Sequence, residues 1–183
     1  MGIRIIGGDL KNRELLRKGI KKEFVRPTTA IVRKSIFDSL GEIKGFTVLD
    51  LFAGSGILGI ESISRGAEKV VFVEKDRYLI ENLKENLKRL NLLEKGFFYN
   101  TDFEKAVKVF DEKKEKFDLI FIDPPYRLNS VYKPLKVLSE KKILNENGLI
   151  VYLSYISEKI DHERFKIFKE KKFGITKISF LKE

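Results

Sequence analysis

Along most of the chain, short apolar runs alternate with segments in which apolar residues return every three or four positions. From residue 46 onward the runs predict strands at 46–51, 69–74, 97–100, 117–122 and 149–153. The periodic segments between them predict helices, and strands that alternate with helices form mostly parallel sheets with right-handed crossovers. Two final runs, 165–171 and 176–181, predict an antiparallel hairpin. The pattern therefore predicts an α/β fold around a mostly parallel, seven-stranded sheet.

The first 45 residues follow a different pattern. Residues 3–6 and 14–16 predict the two short strands of a hairpin that has glycines in its turn. A helix with apolar residues at helical spacing is expected to begin near Thr28 and to end at Gly41 or Gly45.

The charge of the chain is concentrated in the same region. The formal net charge is +10, and six of these ten net positive charges lie between residues 2 and 45. Such a concentration favours a docking surface for an anionic partner, nucleic acid above all, over an evenly solvated surface. We therefore expect residues 1–45 to be a basic, RNA-facing extension and residues 46–183 to be the main domain.

Composition excludes several kinds of site and of location. The chain has no Cys and a single His, so disulfides and cysteine nucleophiles are excluded and no metal site is expected. No apolar run reaches the about 18 residues of a membrane helix, and the residues after Met1 resemble a strand more than a signal peptide. We expect a soluble, cytoplasmic monomer.

The first candidate site is the stretch from Val48 to Gly59, where an apolar strand runs into a glycine turn and then a helix. Its segment Gly54-Ser55-Gly56-Ile57-Leu58-Gly59 matches the dinucleotide pattern G-x-G-x-x-G, and Glu74 lies where a ribose-binding carboxylate is expected. Taken alone, this indicates a nicotinamide or flavin enzyme. However, Asp50 precedes the glycines near the end of a buried strand, where an unpartnered charge costs several kcal/mol.

Four carboxylates follow four predicted strands: Asp50, Glu74, Asp102 and Asp123. Ligands of open α/β sheets bind beyond the carboxyl ends of the strands, so these side chains are expected to converge on one crevice. Each of them could instead cap a helix or lie in a loop, and Asp102 precedes a predicted helix. A crevice lined with acids suits sulfonium and ammonium groups better than a pyrophosphate.

The segment Asp123-Pro124-Pro125-Tyr126 is the more specific motif. Two consecutive prolines fix φ and remove N–H groups, which gives a rigid turn with projecting carbonyls. The Asp123 side chain and the Pro124 carbonyl can accept both hydrogens of a planar amine, and this orients the nitrogen for methyl transfer. Tyr126 offers a face on which a base can stack, once that base has been flipped out of a folded nucleic acid.

Together the two motifs resemble those of S-adenosylmethionine-dependent amino-methyltransferases. Over nearly its whole length the chain resembles one family, the RsmD-type small-subunit ribosomal RNA (guanine-N2) methyltransferases. The segments that carry this resemblance are Arg4–Gly8, Arg26–Thr28, Leu49–Gly56, Ser64–Ala67, Val73–Asp76 and Asp123–Tyr126. The resemblance implies a Rossmann-like class I methyltransferase fold and S-adenosylmethionine as cofactor. It also implies methylation of the exocyclic N2 of one guanine in 16S rRNA, on an assembling small subunit.

Three groups of residues are expected to form the site. The catalytic turn comprises Asp123, Pro124, Pro125 and Tyr126. The cofactor contacts are Asp50, Phe52, Ala53, Gly54, Ser55, Gly56, Glu74, Lys75 and Asp102. The RNA contacts are Arg4, Lys11, Arg13, Lys21, Arg26 and Thr28.

Other functions remain compatible with these motifs. An N6-adenine DNA or RNA methyltransferase would use the same Asp-Pro-Pro-Tyr turn, because the turn serves either amine. An NAD-dependent oxidoreductase is a more remote alternative. A non-catalytic RNA-binding or assembly factor that keeps the fold is the third.

Overall fold

The computed structural model describes residues 2–16, 28–124, 132–160 and 163–183. Lys21, Arg26, Pro125 and Tyr126, all predicted site residues, lie outside the described residues. In chain order the elements are β1 (Ile3–Arg4), β2 (Glu14–Leu15), α1 (Ala30–Leu40), β3 (Thr47–Asp50), α2 (Ile57–Ser64), β4 (Lys69–Val73), α3 (Arg77–Arg89), a 3-10 turn (Leu93–Lys95), β5 (Gly96–Tyr99), α4 (Phe103–Glu112), β6 (Phe117–Ile122), α5 (Tyr132–Ser139), β7 (Leu144–Tyr155), β8 (Lys166–Phe173) and β9 (Thr176–Lys182).

Seven of the described strands form one sheet, in the order β5-β4-β3-β6-β7-β9-β8. Strands β3 to β7 are parallel to one another. Strand β9 lies between β7 and β8 and is antiparallel to both. The chain moves outward from β3 through β4 to β5 and then returns to the other side of β3 as β6. The topological switch point therefore lies between β3 and β6. This arrangement confirms the predicted class I methyltransferase fold.

Both faces of the sheet are buried, which explains why its central strands are nearly continuous apolar runs. In β6, Leu119 and Phe121 join one core cluster, and Ile120 and Ile122 join the other. Helices α1, α2 and α3 cover the first face, and α4 and α5 cover the second. The carboxyl edge of the sheet is left for loops.

The described part of the N-terminal extension packs on the main domain. Ile3, Ile5 and Leu15 are buried in the same cluster as α1 and α2. Backbone hydrogen bonds also join the two parts, since the Asp9 N–H donates to the Ser64 carbonyl at 2.8 Å. The extension thus shares a hydrophobic core with the sheet, and the boundary at residue 45 stays a prediction.

Several predicted element boundaries shift by a few residues. Of the two glycines predicted to end the first helix, Gly41 is the C-cap, because its φ of 71° leaves the helical region and its N–H donates to the Phe37 carbonyl. Strand β7 is longer than the predicted 149–153, because it pairs with β9 as far as Tyr155. No helix in the described part of the chain has the length and apolar character needed to cross a bilayer.

Candidate active site

Three of the predicted acids meet at the switch point of the sheet. Asp50 is the last residue of β3, Glu74 follows the neighbouring β4, and Asp123 follows β6 on the other side. In register, Asp50 lies between Phe72 of β4 and Phe121 of β6. The negative charges of Asp123 and Glu74 both act to raise the pKa of Asp50. The predicted convergence of these three carboxylates is therefore seen in the structure.

The loop after β3 needs glycine at two positions. Gly54 and Gly56 have φ values of 53° and 74°, in the left-handed region that favours glycine. A Cβ at Gly56 would also lie 2.2 Å from Cδ1 of Leu83, a buried residue of α3. The loop can pass this close to α3 only because the side chain is absent.

Glu74 holds the glycine loop in place. One of its carboxylate oxygens accepts a hydrogen bond from the Gly54 N–H at 2.9 Å, and the other accepts one from the Asp76 N–H at 2.9 Å. A carboxylate oxygen has two lone pairs, so each can accept a further hydrogen bond. Glu74 is half-buried at the strand end and Lys75 beside it is exposed. Their contacts with a cofactor stay predictions.

Asp50 is the most buried of the three acids, with 1% of its surface exposed. Its Oδ2 accepts a hydrogen bond from the Gly59 N–H at 3.2 Å. Burial, followed by the repulsion of Asp123 and Glu74, raises the pKa of Asp50 to about 7 against that single hydrogen bond. An adjacent cation would favour its ionised form, which matches a site for a positively charged ligand.

Asp123 accepts a hydrogen bond from the Thr28 hydroxyl at 2.6 Å. Burial raises the pKa of Asp123 to about 6, and the Thr28 hydrogen bond opposes this shift. Pro124 is buried behind it. Thr28 is a predicted RNA contact, and its bond to Asp123 could not be predicted because 95 residues separate the two. The RNA contact of Thr28 stays a prediction.

Asp102 caps a helix, which is the alternative to a cofactor contact that was also compatible with the sequence. Its side chain accepts a hydrogen bond from the Lys105 N–H at 2.9 Å and pairs with the Lys105 ammonium at 3.1 Å. The backbone hydrogen bond is the main cause that lowers the pKa of Asp102. Next to the cap, the rings of Phe52 and Phe103 pack with centroids 5.2 Å apart. The cofactor roles of Asp102 and Phe52 stay predictions.

The glycine loop and the hairpin hold the remaining described candidates. Ala53 and Ser55 are buried in the loop beside Gly54. Arg4, Lys11 and Arg13 are exposed on the hairpin, as RNA contacts require.

The sequence analysis missed two buried charged residues, Arg33 of α1 and Glu61 of α2, which are 3% and 0% exposed. The Arg33 Nε lies 3.3 Å from Glu61 Oε1. The available signal was Glu61 itself, an acid inside the apolar segment Ile57-Leu58-Gly59-Ile60-Glu61-Ser62-Ile63. A buried acid in such a segment requires a charged partner.

The residues present suit S-adenosylmethionine. The glycine loop provides close backbone approach, and the half-buried Glu74 has the acceptors that a ribose diol needs. The buried Asp50, which has only one hydrogen-bond donor assigned to it among the described residues, provides negative charge for a sulfonium and an ammonium group. A pyrophosphate would meet repulsion from the same three acids.

Comparisons with known proteins identify the family of the chain. The family model described as Conserved hypothetical protein 95 matches residues 3–182. Ribosomal RNA small subunit methyltransferase D of Haemophilus influenzae is 35% identical over 177 residues, which cover 94% of this chain and 90% of that protein. The protein of the same name from Buchnera aphidicola is 39% identical over 152 residues, with 81% and 75% covered. The solved structure of a hypothetical protein from Thermus thermophilus matches with a TM-score of 0.85 and 25% identity, over 99% of each chain.

Proposed function

Because the chain belongs to the family of Conserved hypothetical protein 95, the RsmD family of rRNA methyltransferases, we propose that it methylates the N2 amine of a guanine in 16S rRNA. The proposed methyl donor is S-adenosylmethionine. We further propose that the protein acts in the cytoplasm as a monomer on RNA of an assembling small subunit. In this proposal, residues 1–45 face the RNA and residues 46–183 bind the cofactor.

The observation that supports the proposal most directly is the placement of Asp123. Its carboxylate stands at the switch point beside Asp50, Glu74 and the glycine loop, and Thr28 fixes one of its oxygens. An amine held by Asp123 would thus lie next to the pocket that suits a sulfonium ligand. Orientation of the two reactants contributes much of the acceleration in such transfers.

The chain's own residues would perform three tasks in this reaction. When bound, S-adenosylmethionine would supply an electrophilic methyl group, with S-adenosylhomocysteine as the leaving group. Glu74 accepts hydrogen bonds from the ribose, and Asp50 provides charge opposite the positively charged end. Asp123 accepts one N2–H, directs the nitrogen at the methyl group, and takes up the proton that the nitrogen releases as the new carbon–nitrogen bond forms.

The test is methyl transfer followed by identification of the product. The protein is incubated with S-adenosylmethionine labelled in its methyl group and with 16S rRNA or immature small subunits, and the RNA is digested to nucleosides. We expect labelled N2-methylguanosine. Labelled N6-methyladenosine would instead support the adenine alternative, and no label from a preparation that binds the cofactor would contradict the proposal.

A pair of acid-to-amide variants links the activity to the site. Asp123→Asn should lower the transfer rate by at least about 100-fold, because the amide cannot take up the proton. Glu112→Gln makes the same chemical change at an exposed position of α4, on the other face of the sheet, and should retain full activity. Equal activity of the two variants would show that Asp123 is not the catalytic acid–base group.

A further inference from the structure

The Thr28 hydroxyl is the only side-chain donor to Asp123 among the described residues. Thr28 lies at the start of the described segment before α1, far along the chain from Asp123. A short hydrogen bond donated to a carboxylate restricts the rotation of the carboxylate and favours its ionised form. Whatever holds Thr28 therefore also determines where the free oxygen of Asp123 points.

Arg33 binds the backbone of Thr28. One terminal nitrogen of its guanidinium donates to the Thr28 carbonyl at 2.5 Å, and the other donates to the Arg4 carbonyl at 2.7 Å. Arg33 is one turn of helix beyond Thr28, and its N–H bonds to the carbonyl of Thr29. Its planar fork thus joins β1 of the hairpin to the residue that contacts Asp123.

Glu61 keeps this fork in place. Its Oε1 accepts from the Arg33 Nε at 3.3 Å and from the Ile6 N–H at 2.7 Å, so it binds both the arginine and the hairpin. Glu61 belongs to α2, which begins directly after the glycine loop. Since both residues are buried, removing Glu61 would leave Arg33 without its acidic partner, whereas removing Arg33 would leave Glu61 paired with Arg65, whose Nε lies 3.7 Å from Glu61 Oε2.

We propose that Thr28 and Arg33 are positioning residues for methyl transfer, which orient the Asp123 carboxylate and connect it to the hairpin through Glu61. This role rests on the proposed function. The orientation of the Asp123 carboxylate would then depend on the position of the hairpin, whose basic residues are expected to bind RNA. The sequence motif Arg26-Pro27-Thr28 would then serve the active site as well as the RNA.

The charged groups around Asp123 define what a variant of Thr28 should do. Among the described residues these are Asp50 at the end of β3, whose pKa is raised by the charge of Asp123, and Arg33 of α1, which binds the Thr28 carbonyl. Burial favours protonation of Asp123, and the Thr28 hydrogen bond opposes it. Removing the hydroxyl leaves the effect of burial unopposed and should raise the pKa of Asp123.

The experiment compares Thr28→Val and Thr28→Ser with the unmodified protein. Carbon-13 NMR of labelled Asp carboxyls, assigned by Asp123→Asn, gives the titration midpoint of Asp123, and methyl-transfer rates are measured from pH 5.5 to 9. For Thr28→Val we expect a midpoint about one pH unit higher. Relative to the unmodified protein, the rate should be about threefold lower at pH 6.5 than at pH 8.5, as a one-unit shift requires, and the lost orientation of the carboxylate should keep it reduced at pH 8.5. Thr28→Ser keeps a hydroxyl group, so its Asp123 midpoint and its pH–rate profile should match those of the unmodified protein.

Thr29→Val is the matched control at the next position. Thr29 caps α1 by accepting a hydrogen bond from the Val32 N–H at 3.4 Å, whereas the side-chain hydrogen bond seen to Asp123 within the described part of the chain comes from Thr28. This variant should lower thermal stability and leave the Asp123 midpoint and the pH–rate profile unchanged. An identical shift in the two valine variants would overturn the proposal, because it would reflect a loosened helix start rather than the Thr28 hydroxyl.

Arg33→Lys tests the second half of the proposal. The charge is kept, but a single ammonium cannot reach both carbonyls and Glu61 with a planar fork. We expect its Asp123 midpoint to move in the same direction as in Thr28→Val, and an unchanged midpoint in a folded protein would remove Arg33 from the proposal. Should the unmodified protein show the expected Asp123 midpoint yet transfer no methyl group, the proposed function fails and this catalytic role fails with it. An unshifted midpoint in an active Thr28→Val protein overturns the positioning role alone.

Discussion

At the scale of single residues, the candidate site depends on two acids, the buried Asp50 and the half-buried Asp123. The pKa of Asp50 is raised to about 7 and that of Asp123 to about 6, in both cases mainly by burial. The folded chain therefore holds these protons more tightly than the unfolded chain, where an Asp titrates near 3.8. Their contribution to stability is complete below about pH 4 and is lost as the pH rises through 6 and 7. A bound cation reverses this trend, because it favours the ionised acids.

The pKa of Asp50 predicts how cofactor affinity depends on pH. Because a cationic ligand needs the ionised form, affinity for S-adenosylmethionine should rise between pH 6 and pH 8. Asp50→Asn should bind at least about tenfold more weakly at pH 8, where the lost charge interaction is strongest, and with little pH dependence. Isothermal titration calorimetry at several pH values measures both.

Asp111→Asn is the control for this measurement. Asp111 lies in α4, and hydrogen bonding to the Lys142 N–H lowers its pKa, so it does not titrate in this range. It should bind the cofactor as the unmodified protein does. If Asp50→Asn keeps the rise in affinity with pH, another group is responsible.

At the scale of elements, the start of α4 combines a structural role and a predicted binding role in one residue, Asp102. Asp102 is the N-cap of α4, and its exposed carboxylate is also a predicted contact of the cofactor. The aromatic pair of Phe52 and Phe103 brings the end of β3 next to this helix start. A change at Asp102 can therefore act on stability, on cofactor binding, or on both.

Two substitutions of Asp102 separate these roles. Asp102→Ala should destabilise the protein by about 1 kcal/mol through loss of the cap, and Asp102→Ser, also a good cap, should recover most of this. If Asp102 contacts the cofactor, both variants should bind it more weakly, because serine is too short to replace the carboxylate. Urea unfolding and calorimetry on the same samples give the two quantities. Unchanged affinity in both variants would leave Asp102 as a cap alone.

At the scale of the whole molecule, the hairpin and the carboxyl edge of the sheet belong to one packed body. The hairpin shares a core with α1 and α2, and Glu61 and Arg33 connect it to the strand ends. Its exposed basic residues can therefore bind a polyanion while the hairpin keeps a fixed position relative to Asp123. We expect substitutions of the exposed basic residues to change RNA affinity without changing catalysis. Substitutions of the buried Arg33 and Glu61 should change both.

The salt dependence of RNA binding tests the hairpin as a docking surface. Each phosphate contact releases counterions, so Lys11→Ala and Arg13→Ala should each weaken binding and reduce the slope of log affinity against log salt by about 0.7 to 0.9. Lys108→Ala removes an exposed charge from α4, on the opposite face of the sheet, and should leave the slope unchanged. Fluorescence anisotropy with labelled 16S rRNA fragments across a range of salt concentrations measures the slopes. Equal slopes in all three variants would show that the hairpin is ordinary surface.

Much of the fold could be predicted from the sequence because its signals are local. The run 117–122, apolar except for the half-buried Asp118, predicted the bounds of β6 correctly, since a strand buried on both faces is a nearly continuous apolar run. Gly54 and Gly56 marked a turn that requires left-handed φ. Element ends were less certain, as the extension of β7 to Tyr155 shows, because that end is fixed by pairing with β9.

The sequence by itself determined the order of the strands and helices, the acids at the strand ends and the family, because these follow from residue type and spacing along the chain. Only the tertiary structure decided what each charged side chain touches. Thr28 meets Asp123 across 95 residues in a partly buried position, and Arg33 meets Glu61 across 28 in the interior. Such pairs leave no periodic trace in a sequence. Hydrogen bonds between distant residues form only once the hydrophobic core has brought their elements together.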